Sequence, residues 1–201
     1  MASDLIGLTG GMACGKSASL RLFAELGWKT LDADAICAGF YADPAHALPR
    51  AALSRWGGRA ATDGALDKRK IAAIVFNEPA ELDWLDRTAR PLVLREAVRL
   101  LAGMDAPAIF DVPLLYEAGW EGKFDCVVAV WAPKDAQRRR LLDKGWTEAE
   151  IDARLARQLP PETKLERADF ALINSMDMGF LRQQCVEISQ SIKGIVDGET
   201  D

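Results

Sequence analysis

Residues 10–17 read Gly10-Gly11-Met12-Ala13-Cys14-Gly15-Lys16-Ser17, a complete G-x-x-x-x-G-K-[ST] pattern. Ahead of it, Leu5-Ile6-Gly7-Leu8-Thr9 is a short apolar run suited to a buried strand. Behind it, Ser17 to Leu26 puts Leu20, Phe23 and Ala24 at helical spacing. Strand, glycine loop and helix in that order form the context in which this pattern binds phosphate. Gly10, Gly11 and Gly15 allow backbone angles that a Cβ would forbid. The loop amides then point at an anion near the positive end of the helix dipole. Lys16 would reach the β- and γ-phosphates of a nucleotide, and the Ser17 hydroxyl would hold Mg²⁺.

Working outward, apolar runs recur between helical stretches. Lys29-Thr30-Leu31 ends at Asp32, Ala108-Ile109-Phe110 ends at Asp111, Cys126–Trp131 is stopped by Pro133, and Phe170–Ile173 ends at Asn174. Continuous apolar strands of this kind fit a parallel sheet covered on both faces. Their alternation with helices predicts a doubly wound α/β fold with five parallel strands. Between Asp32 and Ala108 no strand is expected. Leu66–Phe76 and Glu81–Leu101 look helical, with a boundary or kink at Arg90-Pro91. Residues 59–103 are therefore expected to form a helical substrate-binding insertion in a nucleotide-binding core of residues 1–58 and 104–201. Thr147-Glu148-Ala149-Glu150 is a capping box opening a helix to about Arg157, which Pro160-Pro161 ends. This basic piece, carrying Arg154 and Arg157 and flanked by Lys144 and Lys164, is expected to be a lid over residues 144–164.

Composition sets outer bounds. The chain has 201 residues, 49% hydrophobic and 27% charged, enough for one domain with a small appended subdomain. With 25 basic and 30 acidic residues, its net charge of −5 gives no reason to expect nucleic acid or an anionic membrane as a partner. No apolar run approaches the ~18 residues of a membrane span, and Met1-Ala2-Ser3-Asp4 does not read as a signal peptide. Cys14, Cys37, Cys126 and Cys185 form no C-x-x-C pair, and with one histidine, His46, they do not suggest zinc. Reduced thiols in a cytoplasmic protein are expected. His46 and the six scattered tryptophans receive no functional role, most of the tryptophans reading as packing.

Phosphoryl transfer needs positioning and charge neutralisation, and a group to orient or deprotonate the acceptor. Ligands of open α/β sheets sit beyond the carboxyl ends of the strands. Asp32, Asp34, Asp111 and Asn174 fall at or just past those ends, although each residue type also serves as a helix cap or turn residue. Asp111, at the end of an apolar strand, would bind Mg²⁺ through water, contact the acceptor, or cap. Arg138, Arg139 and Arg140 follow Gln137 on the helix after the fourth strand, where at least one is a solvated residue. Arg140 shares a face with Gln137, and Leu141-Leu142 would bury the opposite side. Arg140, Arg154 and Arg157 are the candidates to fold over ATP phosphates, whose geometry suits guanidinium. Cys14, beside Lys16 and near a helix start, reads either as a reactive thiolate or as a small residue with its sulfur turned away.

With these motifs in place, the chain resembles the dephospho-CoA kinase family over essentially its whole length. Ile6–Gly11 with Gly15-Lys16-Ser17, Leu31-Asp32-Ala33-Asp34, and Asp111–Glu117 followed by Phe124-Asp125 carry the resemblance. So do Gln137-x-x-Arg140-Leu141, Arg154, Gln158, Lys164, Ala168-Asp169 and Asn174, which match in order. The resemblance implies a P-loop kinase that phosphorylates the ribose 3′-hydroxyl of dephospho-CoA with ATP and Mg²⁺. By the same resemblance Asp34 is the base, acting with Lys16 and Arg140. ATP would lie on Gly11, Met12, Ala13, Cys14, Gly15, Lys16, Ser17 and Ala18, with Arg140 and Asn174. The acceptor would lie on Asp32, Asp34, Asp111, Pro113, Leu114, Leu115 and Glu117, and the metal on Ser17 and Asp32. A monomer or small homo-oligomer would suffice. Departures are Ala13-Cys14 for the family's Gly-Ser, Ser17-Ala18 for Ser-Thr, Arg90 for a histidine, and Lys144-Gly145 for Arg-Asp. The nearest rival is a P-loop kinase for another nucleotide or small hydroxyl substrate. A guanine-nucleotide switch is disfavoured because no Asn-Lys-x-Asp segment is present.

Overall fold

A computed structural model describes residues 5–103 and 106–196, with side chains to residue 194. Met1–Asp4, on which the signal-peptide reading rests, and Met104-Asp105, at the expected core boundary, lie outside the described residues. The chain divides after Asp32 and after Gly103 into two compact units.

The first unit opens with β1 (Leu5–Gly10), α1 (Lys16–Glu25) and β2 (Lys29–Asp32). The second holds α2 (Ala33–Phe40), α3 (Ala47–Trp56), β3 (Ala61–Thr62), β4 (Ala65–Leu66), α4 (Lys68–Asn77) and α5 (Pro79–Leu101). The first unit resumes with β5 (Ala108–Asp111), β6 (Cys126–Trp131), α6 (Lys134–Leu142), α7 (Glu148–Leu155), α8 (Pro161–Arg167), β7 (Phe170–Ile173) and α9 (Met178–Val196).

The five long strands form one parallel sheet in the order β2-β5-β1-β6-β7. All five expected strands are present, ending within a residue of where the sequence places them. Buried side chains on both faces explain their continuous apolar runs. On one face Ile6, Leu8, Ile109, Val128, Val130 and Leu172 join Leu22 and Phe23 of α1 and Leu181, Cys185, Ile188 and Ile192 of α9. On the other, a Cβ on Gly7 would lie 2.7 Å from Leu115 Cδ1 and 3.0 Å from Phe124 Cγ, so glycine lets these side chains close over β1. Trp28 Nε1 donates to Ser189 Oγ at 2.7 Å, tying the start of β2 to α9 without leaving the buried indole N–H unpaired. Helix α1 buries Ser19, Leu22 and Phe23, a face rotated from the expected Leu20, Phe23 and Ala24.

The second unit has its own small core of Ala52, Trp56, Ala60, Ile71 and Ile74. It begins at residue 33, not 59, because α2 and α3 pack on α5. Helix α5 runs through Pro91 without a boundary. The ring forfeits one backbone donor, but burial of Ala89, Val93 and Ala97 on one helical face carries the helix past it. The short hairpin β3–β4 was not expected, although its Asp63-Gly64 turn, with φ of 52° and 82°, has the two-residue form that favours Asp-Gly. His46 caps α3, its Nδ1 accepting from Leu48 N at 3.3 Å, and stacks on Phe40 at 4.1 Å.

Candidate active site

Strand β1 feeds the phosphate loop directly. Gly10 has φ 146°, and a Cβ there would lie 2.3 Å from Val130 O. Gly15 has φ 109°, and a Cβ there would lie 2.2 Å from Asn174 Nδ2. Both positions therefore exclude other residues by conformation and by space. Ala13 is the loop's left-handed non-glycine residue, with φ 55°. Gly15 lends no capping side chain to α1. Ala18 N–H bonds Gly15 O at 3.0 Å, so the Lys16 and Ser17 N–H groups are the ones that open the helix toward an anion, where its dipole favours negative charge.

Side chains from the neighbouring elements hold the loop by its carbonyls. Lys16 Nζ donates to Gly10 O at 3.1 Å and Gly11 O at 3.3 Å. Arg140 Nη1 donates to Ala13 O at 2.9 Å. Asn174 Nδ2 donates to Cys14 O at 2.8 Å, while its own N–H bonds Trp131 O at 2.8 Å. Arg140 and Asn174 thus sit against the loop, and their contacts are to its backbone. Gln137, buried on the same helix as Arg140, donates to Ala132 O at 2.7 Å. Leu141 is buried, whereas Leu142 is 41% exposed, so the apolar side of α6 is narrower than expected. Arg139 is exposed, and Arg138 pairs with Glu148 and Asp152 of α7.

Cys14 is fully buried. Burial pushes its thiol pKa up, against smaller opposing effects from the Ala132 and Gly11 backbone and the charges of Lys16 and Arg140. The thiolate reading is thereby corrected: desolvation outweighs the neighbouring cations, and the sulfur belongs to the apolar core.

Along the carboxyl edge of the sheet, Asp32 and Asp111 are register partners on β2 and β5. Asp111 is buried; Asp32 is half-buried. The edge therefore carries Asp32, Asp111 and the phosphate loop on three adjacent strands, with Asn174 just past β7. Asp34 is exposed, in the first turn of α2 in the second unit. After β5, Pro113 and Leu114 are partly exposed, but Leu115 is fully buried beneath β1 and supports the segment from below.

The stretch expected as a lid contains two helices. The expected capping box is complete: Thr147 Oγ1 accepts from Glu150 N, and Glu150 Oε2 accepts from Thr147 N at 2.8 Å. Helix α7 stops at Leu155. Arg154 lies over the Trp146 ring at 4.2 Å. Lys164, expected as a basic flank of the lid, is instead fully buried, its Nζ 2.8 Å from Glu117 Oε1. Pattern reading missed it because a lone lysine in a charged helix reads as solvated.

A family profile described as dephospho-CoA kinase matches residues 4–179. The dephospho-CoA kinase of Anaeromyxobacter dehalogenans is 42% identical over 176 residues, covering 85% of this chain and 83% of the relative. The chain belongs to the dephospho-CoA kinase family. The dephospho-CoA kinase of Agrobacterium fabrum is 36% identical over 94% of this chain and 97% of its own. Among solved structures, a protein from Thermus thermophilus superposes with a TM-score of 0.79 at 30% identity over the whole of both chains. Dephospho-CoA kinase from Campylobacter jejuni gives 0.67 at 25% identity over 98% of each. A shikimate kinase from Bacteroides thetaiotaomicron, at 0.54 and 15% identity, shares the fold.

Proposed function

We propose a division of labour among these residues for the dephospho-CoA kinase reaction. That reaction moves the γ-phosphoryl group of ATP to the ribose 3′-hydroxyl of dephospho-CoA, releasing ADP and CoA. The observation that carries the assignment of roles is the alignment of phosphate loop, Asp32, Asp111 and Asn174 along one sheet edge. The loop amides and Lys16 hold the β- and γ-phosphates and offset the charge spread over the transferring group. Arg140 and Asn174 keep the loop in shape and lie beside the nucleotide. Asp34 accepts the proton of the 3′-hydroxyl as its oxygen bonds phosphorus and the bond from the γ-phosphorus to the bridging oxygen of ADP breaks. Residues 113–117, with Asp32 and Asp111, hold the acceptor.

ATP use by this family implies a divalent metal. The donors on hand are oxygens: the exposed Ser17 hydroxyl and the Asp32 and Asp111 carboxylates. No group of three or more His, Cys, Asp or Glu suited to a metal occurs among the described residues. One hydroxyl and one or two carboxylates, completed by phosphate oxygens and water, fit Mg²⁺. When bound, Mg²⁺ would neutralise phosphate charge; Ser17 and Asp32 would hold it.

Among the described residues no helix is long and apolar enough to cross a membrane. Four free cysteines support a reducing, cytoplasmic setting as part of the same proposal. ADP release with and without dephospho-CoA, against a panel of other hydroxyl acceptors, tests the reading. Strong dependence on dephospho-CoA is the expected result; equal stimulation by another nucleotide or small alcohol would reassign the substrate.

A further inference from the structure

Lys164 is the largest polar side chain fully buried in the described chain. Two of its three donors are accounted for: Nζ bonds Pro113 O at 2.6 Å and Glu117 Oε1 at 2.8 Å. Pro113 O also accepts from Thr9 Oγ1 at 3.3 Å, from the residue before Gly10. Glu117 Oε1 also accepts from Leu159 N at 2.9 Å, in the linker between α7 and α8. One ammonium thus joins the end of β1, the segment after β5, and the lid. At its other end α8 abuts the phosphate loop: a Cβ on Gly11 would lie 2.6 Å from Pro161 Cγ.

Burial lowers the pKa of Lys164, Glu117 counteracts this, and the positive charge of Lys16 acts in the same direction as burial. The pair thus lies where water is largely excluded, Lys164 being fully buried. Stability alone does not account for such a pair, since an apolar pair of the same volume usually serves as well. What the pair provides is a fixed orientation of the Glu117 carboxylate. Its second oxygen, Oε2, is enclosed and makes no hydrogen bond among the described residues.

We propose that Lys164 is a positioning residue for phosphoryl transfer, orienting the Pro113–Glu117 segment against which the acceptor lies. This rests on the reading that residues 113–117 hold dephospho-CoA. Lys164 acts on the acceptor side, and ATP affinity is set elsewhere.

The test compares Lys164→Met, Glu117→Gln and the double variant with wild type. Readouts are thermal unfolding, ATP affinity by calorimetry, and kcat and KM for dephospho-CoA. Lys164→Met leaves a carboxylate buried without its partner and loses stability; the double variant removes that charge and recovers cooperative unfolding. All three keep ATP affinity near wild type. Each loses about 10²-fold in kcat/KM for dephospho-CoA, the scale of a misplacement of about 1 Å, with most of the loss in KM. Folded variants with wild-type kcat and KM for dephospho-CoA, and only a lowered Tm, would overturn the proposal. Leu114→Ala separates the two layers. If it raises the KM while the Lys164 and Glu117 variants do not, the role of Lys164 alone falls. If none of them moves it, the acceptor-segment reading falls as well.

Discussion

At the scale of single residues, two aspartates and one cysteine carry the sharpest expectations. Asp34→Asn keeps size and removes the proton acceptor, and a positioned base is worth about 10²–10⁴-fold. The variant should lose kcat by that factor and keep its ATP affinity, measured by steady-state kinetics and calorimetry. Asp32→Asn should instead raise the Mg²⁺ concentration needed for half-maximal rate. A large kcat loss confined to Asp32→Asn would exchange the two roles. Cys14 is buried with a raised pKa, so the native enzyme should react with iodoacetamide there no faster than the unfolding of its core allows. Peptide mapping after brief alkylation should find Cys37, which is partly exposed, labelled before Cys14. Early labelling at Cys14 would show that its sulfur reaches solvent.

At the scale of elements, the second unit carries an acid-sensitive joint between α3 and α5. Glu81 accepts from Arg55 Nη2 at 3.0 Å and from Trp56 Nε1 at 2.7 Å. The Arg55 and Trp56 hydrogen bonds hold its carboxyl at about 2, below the ordinary 4.5. A depressed carboxylate contributes stability that is complete above 4.5 and is lost as pH falls toward 2. Glu81→Gln should therefore lose less stability than wild type across that window, read from urea midpoints at several pH values. Parallel curves for the two proteins would dissociate this joint from acid unfolding. The elements also show how far pattern reading reaches. The capping box at Thr147 is a local hydrogen-bond device written in four residues, and it forms as read. The passage of α5 through Pro91 was not legible, because the apolar contacts that outweigh the lost hydrogen bond come from residues distant in sequence.

At the scale of the whole molecule, two cores stabilise two units. Phe23, on the helix that follows the phosphate loop, is fully buried among residues of β1, β5, β6 and α9. Trp56 is 4% exposed and packs edge-to-face on Trp84 at 5.1 Å in the other core. Truncating either to alanine should cost about 3–5 kcal/mol. In native-like conditions Phe23→Ala should also weaken ATP binding, since α1 begins at Lys16. Trp56→Ala should leave ATP affinity close to wild type while lowering the urea midpoint. Equal losses of ATP affinity in both variants would mean that the loop does not draw its order from the first core alone.

By itself the sequence determined the parallel sheet, the phosphate loop and the aspartates at strand ends. Each is encoded within a few consecutive residues: apolar runs, glycines at strained angles, and an aspartate or asparagine at or just past the end of β2, β5 and β7. Only the tertiary structure decided what surrounds a side chain. Cys14 reads either as activated or as turned away until the core closes over it, and desolvation then outweighs two nearby cations. Leu115 reads as an acceptor contact until Gly7 admits it beneath β1. Lys164 reads as a basic flank of the lid until the backbone brings Glu117 and Pro113, some fifty residues earlier in the chain, to its ammonium. Burial and ion pairing depend on residues far apart in sequence, and no local pattern carries them.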